Sequence, residues 1–110
     1  MEIAITEYKR VAVVQPSGRV DSNTSQEFEA ALRRLTEGGR NALVLDLSRV
    51  EFLSSAGLRV MVTTMKTVRK SAGSICVAAP TQRVAEVLRL AGLDSVFEIF
   101  ETREAAIASF

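Results

Sequence analysis

The chain has no histidine and no tryptophan, one tyrosine, one cysteine and two prolines. Without histidine, the commonest general base and the commonest transition-metal ligand are both missing. Cys76 has no second cysteine to pair with, so neither an intrachain disulfide nor a thiolate metal cluster can form. It lies in the apolar run Ile75-Cys76-Val77-Ala78-Ala79, where a thiol serves as a small buried hydrophobe. A free thiol without disulfides suits a reducing cytoplasm. An excess of one charge is lacking too, since fourteen basic and thirteen acidic side chains leave a net +1. That balance gives no basic footprint for a phosphate backbone, and 5% aromatics give no stacking platform, so nucleic acid is not an expected partner. Long hydrophobic runs are absent as well. Met1 to Glu7 carries two acids and does not read as a signal peptide, and no run approaches the roughly 20 apolar residues of a bilayer span. Membrane insertion is not expected.

What is present is an ordinary globular composition, with 110 residues, 47% apolar and 25% charged. The length fits one domain over residues 1–110, with no repeat, linker or low-complexity segment. Residues 2–8 alternate apolar and polar, with Ile3 and Ile5 among Glu2, Thr6 and Glu7, as a half-exposed strand does. Lys9-Arg10 turns the chain into Val11-Ala12-Val13-Val14, a second strand of an antiparallel hairpin that Pro16-Ser17-Gly18 ends. Thr24 and Glu27 have the spacing of a capping box for a first helix, whose buried stripe is Phe28, Ala31, Leu32 and Leu35 and whose end is Gly38-Gly39.

Ala42 to Leu47 is nearly all apolar, as a strand covered on both faces is. A second helix follows, with Leu58, Met61, Val62, Met65 and Val68 inward, then Gly73 and a buried strand over Ile75 to Ala79. Pro80-Thr81 opens a third helix with Val84, Val87, Leu88 and Ala91 facing in and Gly92 closing it. Val96 to Phe100 reads as a short last strand, and Thr102 caps a final helix carrying Ala106, Ile107 and Phe110. Strands alternating with helices predict parallel pairing through right-handed crossovers. The fold class is α/β, a mixed sheet of four to five strands with an N-terminal antiparallel hairpin and about four α-helices.

The informative stretch runs from Asp46 to Leu58, where a buried strand feeds a loop that delivers Ser54 and Ser55 to the start of the second helix. Function in open α/β sheets gathers at the carboxyl ends of the strands, which is where this loop falls. Serines at helix starts commonly cap backbone amides. Gly57 in the first turn costs about 1 kcal/mol relative to alanine and leaves room for another chain or a ligand to approach. Nothing suggests an enzyme: Gly-x-Ser-x-Gly and Ser-x-x-Lys are absent, and no histidine can act as base. Neither common nucleotide-binding loop is present, and Asp21 and Asp46 read as loop and strand-end residues rather than an acid–base pair.

Three stretches together resemble the STAS domain in its single-domain form, the anti-sigma factor antagonist. Gly18-Arg19-Val20-Asp21-Ser22-Asn23-Thr24 is similar to the family's turn into the first helix. Val44 to Val50 is similar to its central strand, and Phe52-Leu53-Ser54-Ser55-Ala56-Gly57-Leu58 to its phosphorylation loop, often Asp-Ser-Ser-Gly-Leu. The resemblance places Ser55 on the serine that family kinases phosphorylate, with Ser54 the other candidate, and puts Asp21, Ser22, Asn23 and Thr24 on the same surface. Ser54 stands where many members have Asp and Ala56 replaces a Ser, departures that bear on kinase recognition.

The implied function is to bind an anti-sigma factor, often itself a serine kinase, and release a sigma factor until Ser55 is phosphorylated. A phosphatase acting on phosphoserine would reset it, no cofactor or metal is implied, and the protein would be a monomer or weak dimer. The partner surface would include Ser54, Ser55, Ala56, Gly57 and the exposed side of the second helix at Arg59, Val60, Thr63, Lys66 and Thr67. A scaffold or regulatory subunit in a stress-sensing complex or beside a transporter ATPase is the alternative, and a nucleotide-binding module a further one.

Overall fold

A computed structural model describes all 110 residues. The elements follow the order β1 (Glu2–Tyr8), β2 (Val11–Val20), α1 (Ser25–Glu37), β3 (Ala42–Asp46), β4 (Val50–Leu53), α2 (Ser55–Lys70), β5 (Ser74–Ala78), α3 (Gln82–Leu90), β6 (Ile99–Phe100) and α4 (Arg103–Ala108), with a 3₁₀ turn at Leu93–Ser95. The sheet has six strands in the order β1-β2-β3-β5-β6, with β4 beside the second half of β2. Only β1 and β2 are antiparallel; the remaining pairs are parallel.

The two faces of the sheet are covered unequally. Ala12, Val14, Leu43, Leu45, Ile75 and Val77 point to the main core, which α1, α2 and α3 complete with Phe28, Leu32, Met61, Met65 and Leu88. Their alternates Val11, Val13, Val44, Cys76 and Ala78 form a smaller core under α4, sealed by Ala106. Both faces being buried, these strands carry apolar residues without alternation. Burial under α4 pushes the Cys76 thiol up to about 11, with Glu98 adding to the effect, so it is no thiolate at neutral pH.

Four details depart from the sequence reading. Pro16 does not end β2, because β3 pairs with residues 11–14 and β4 with residues 18–20, leaving no parallel ladder for the missing N–H to break. Val50 to Leu53, read as loop, is a strand; its four residues are too few to show a period of two. Gly18 (φ +92) makes the accompanying shift of register possible. At the start of α1 no capping box forms: the Thr24 side chain caps nothing, and Glu27 faces the Met1 amino group at 2.9 Å. Ala91 is exposed, as is Phe110, since α3 and α4 are short and stop before either residue can turn inward.

Gly73 is required by close approach. The loop into β5 crosses Asn41 so tightly that a Cβ on Gly73 would lie 2.2 Å from the Asn41 carbonyl oxygen, and the Ser74 N–H donates to that same oxygen at 2.8 Å. Backbone cannot yield as a flexible side chain can. Gly73→Ala is therefore expected to cost about 2–3 kcal/mol, measured as a lowered denaturant midpoint with an unchanged slope.

Candidate functional site

The site is assembled where β2 and β4 end side by side. Val20 and Leu53 are register partners, and the Ser54 N–H donates to the Val20 carbonyl at 2.9 Å. This one junction sets the Asp21–Thr24 turn against the start of α2. The sequence-predicted site residues fall on these two segments and along α2 as far as Thr67.

The turn is held from within. The Asp21 carboxylate accepts from the Asn23 N–H at 2.9 Å and the Thr24 N–H at 3.3 Å. Thr24 donates its hydroxyl to the Arg19 carbonyl at 2.8 Å and accepts from the Asp21 N–H at 3.0 Å. Asp21 thus closes the turn ahead of α1, its carboxylate reaching the amides two and three residues downstream, while the Thr24 hydroxyl is spent on Arg19 and Asp21 and not on the first helical amides. The Asn23 amide bond leads in holding its carboxyl below the usual range, with Thr24 and Arg19 adding to it against some desolvation. Ser22 and Asn23, at the tip, are exposed.

The two serines are in different situations. Ser54 is the N-cap of α2, extended at φ −89 and ψ 173, half-buried, its hydroxyl accepting from the Gly57 N–H at 3.4 Å. Ser55, the first helical residue, is exposed, and its hydroxyl makes no intrachain hydrogen bond. The amides of Ser55 and Ala56 also lack intrachain acceptors, as the first amides of a helix do. An anion on Ser55 would meet free donors and the positive end of the helix dipole.

Gly57 and Val60 are not on the surface expected of them. Gly57 is buried, and a Cβ there would lie 2.6 Å from Leu53 Cδ1 and 2.7 Å from Val20 Cγ1, so the close approach comes from the chain itself. Val60 is only 7% exposed. Helix α2 packs on α1 as well as on the sheet, which widens its buried stripe to Val60 and Thr64. Arg59, Thr63, Lys66 and Thr67 are exposed as expected. Arg59, Thr63 and Ala56 border a shallow groove of about 160 Å3 whose other bank is Ser25, Gln26 and Glu29 of α1. The sequence reading missed Arg19, whose guanidinium stacks 4.2 Å over the Phe52 ring and lies 3.6 Å from Asp21. Arg19 and Phe52 are register partners of β2 and β4, so strand pairing, not spacing along the chain, brings them together.

Asp46 does separate work. Its buried carboxylate takes hydrogen bonds from the Ser48 N–H at 3.0 Å, from Gln15 at 3.3 Å and from Arg103 of α4 at 2.8 Å. Burial alone would raise this carboxyl, but the bonds from Ser48 and the Arg103 charge outweigh it and hold it below the usual carboxylate range. It pins the last helix to the sheet and is no acid–base partner for Asp21.

A single mixed sheet with helices on both faces, and a serine-bearing junction between a parallel strand and a helix, defines a class, and comparison with known proteins agrees. The STAS domain model matches residues 2–106, and the chain belongs to that family. BtrV of Bordetella bronchiseptica is 32% identical over 110 residues, spanning 100% of this chain and 95% of BtrV. The anti-sigma-F factor antagonist RsfB of Mycobacterium tuberculosis is 32% identical over 107 residues, 96% of this chain and 85% of RsfB. Among solved structures, an anti-sigma factor antagonist from Mycobacterium paratuberculosis superposes with a TM-score of 0.90 at 31% identity, covering 98% of this chain and 92% of that one.

Two outcomes follow from this geometry. Gly57→Ala gains about 1 kcal/mol of helix propensity but must push Val20 and Leu53 aside at about 1–3 kcal/mol, so thermal unfolding should show a net loss. A lowered Asp46 pKa means its contribution is full above the unfolded value of about 3.9 and is lost as pH falls through the folded value. Asp46→Asn should then flatten the stability–pH curve below about pH 4.5 in urea titrations, while costing about 1–3 kcal/mol at neutral pH.

Proposed function

We propose that this chain is an anti-sigma factor antagonist: unmodified, it binds an anti-sigma factor that is itself a serine kinase, frees a sigma factor, and lets go when Ser55 is phosphorylated. The observation that carries the reading is the exposed, unbonded Ser55 hydroxyl at the first position of α2, beside the Asp21–Thr24 turn. The name of RsfB and of the Mycobacterium paratuberculosis protein supports the partner class. Ser55 is favoured over Ser54, whose hydroxyl is already engaged as the helix cap.

Phosphorylation adds about −1.5 to −2 charges. The helix terminus tolerates them, because free amides and the dipole accept an anion there. A packed partner surface does not, since it must desolvate or match that charge. A penalty of about 3 kcal/mol weakens binding more than a hundredfold. The switch therefore changes affinity without changing the fold. The partner footprint comprises Asp21, Ser22, Asn23 and Thr24 of the turn, Ser54, Ser55 and Ala56 of the helix start, and Arg59 and Thr63 one and two turns on, with Gly57 and Val60 as buried supports. A phosphoserine phosphatase restores the active form in the cytoplasm, and the protein itself works by binding, not catalysis.

The test is to isolate the protein from its native cells, identify its partners and map phosphate in the same sample. A kinase-type anti-sigma factor bound only to protein unmodified at Ser55 is the expected result. Ser55→Asp should lose at least about a hundredfold in affinity for it while melting within a few degrees of wild type. A constant partner, with no phosphate on Ser54 or Ser55, would replace the switch with a static scaffold or regulatory subunit.

A further inference from the structure

The largest cavity lies at the pole opposite Ser55, where the parallel strands begin. It is an open cleft of about 990 Å3, bordered by the Lys9-Arg10 turn, the starts of β3 and β5 at Ala42 and Ser74, and the end of α4 at Ile107 and Phe110. Small-molecule sites typically occupy about 300–1,000 Å3 and combine an apolar wall with a few placed polar groups. Both components are present. Phe110 (44% exposed) and Tyr8 (42% exposed) flank this cleft and are two of the four large hydrophobic side chains that the fold leaves in water. Its two cations, Lys9 and Arg10, stand in no ion pair, and no Asp or Glu is among the lining residues. Arg40 close by is neutralised by Glu7, so the positive charge is concentrated on the cleft side of the turn. Lys9 also adopts a left-handed backbone (φ +55), a conformation that strains a side-chain-bearing residue and that glycine adopts freely.

We propose that this cleft binds a small amphipathic anion, its apolar body against Phe110, Ile107 and Ala42 and its carboxylate, sulfonate or phosphate on Lys9 and Arg10. A neutral apolar molecule would leave two cations unmatched. A hydrophilic polyanion would waste the apolar wall and lose the burial that drives entry into such a site. The site is independent of Ser55: it draws on other elements and stands whether or not that residue is phosphorylated.

The probe is 1-anilinonaphthalene-8-sulfonate, with the uncharged N-phenyl-1-naphthylamine as its charge-free twin, titrated into the full chain and followed by fluorescence and by amide shifts in 15N spectra. The sulfonate should saturate one site per chain, with shifts centred on Asn41, Gly73, Ile107 and Phe110, and should bind at least about tenfold tighter than the neutral twin. Arg10→Gln and Lys9→Gly should each weaken the sulfonate about tenfold and leave the neutral twin unchanged. Lys9→Gly relieves backbone strain, so its folded state is secure and its loss of binding reports the missing cation. Equal binding of the two probes, unchanged affinity in both variants, or shifts centred on another part of the chain would overturn the proposal. So would the absence of saturable binding.

Discussion

The hydrogen bond from the Ser54 N–H to the Val20 carbonyl, with Gly57 pressed against Val20 and Leu53 beneath it, is the constraint on which the candidate site depends. β2 reaches this point only because it continues past Pro16 and changes partner from β3 to β4. β4 is short, yet it brings the serine loop to the side of a turn more than thirty residues earlier in the chain. Were Gly57 larger, the first turn of α2 would lift away from both strand ends. The glycine is therefore a packing residue whose effect on function runs through the position of Ser55.

Rigid support and a chemically free hydroxyl are separated here between neighbours. Ser54 spends its hydroxyl on capping and its amide on Val20, while Ser55 spends neither its hydroxyl nor its amide on the fold. The Asp21–Thr24 turn is likewise self-contained, its polar groups satisfied within the turn and at Arg19. A partner on the proposed footprint would meet a surface that does not have to rearrange, the cost of ordering it having been met in folding. In the proposed switch, a phosphate on Ser55 would leave that support intact and alter only what the partner encounters. Asp46 and Arg103 separately tie α4 to the less covered face of the sheet.

Much of this was legible in the sequence because period and punctuation are local. Val11 to Val14, Ala42 to Leu47 and Ile75 to Ala79 announce doubly covered strands, and Phe28, Ala31 and Leu32 announce the inner face of α1. The serine loop and its turn were legible through their resemblance to the STAS family. What escaped has a common origin in tertiary structure. β4 is four residues long and gains its identity from pairing with β2, and Val60 is buried because α1 lies beside α2. Gly57 reads as an opening until Val20 is seen to fill it. Thr24 and Glu27 have a capping spacing, but the Thr24 hydroxyl is taken up by the Arg19 carbonyl and the Asp21 N–H, and Glu27 by the Met1 amino group.

The central claim is that one phosphate on Ser55 changes affinity and leaves shape alone. Its most direct test is to prepare the chain with phosphoserine installed at position 55 and measure, beside the unmodified chain, both its melting temperature and its affinity for the anti-sigma factor recovered from native cells. The account predicts melting temperatures within a few degrees of each other and affinities more than about a hundredfold apart. Equal affinities, or a phosphorylated chain that has lost its fold, would contradict it.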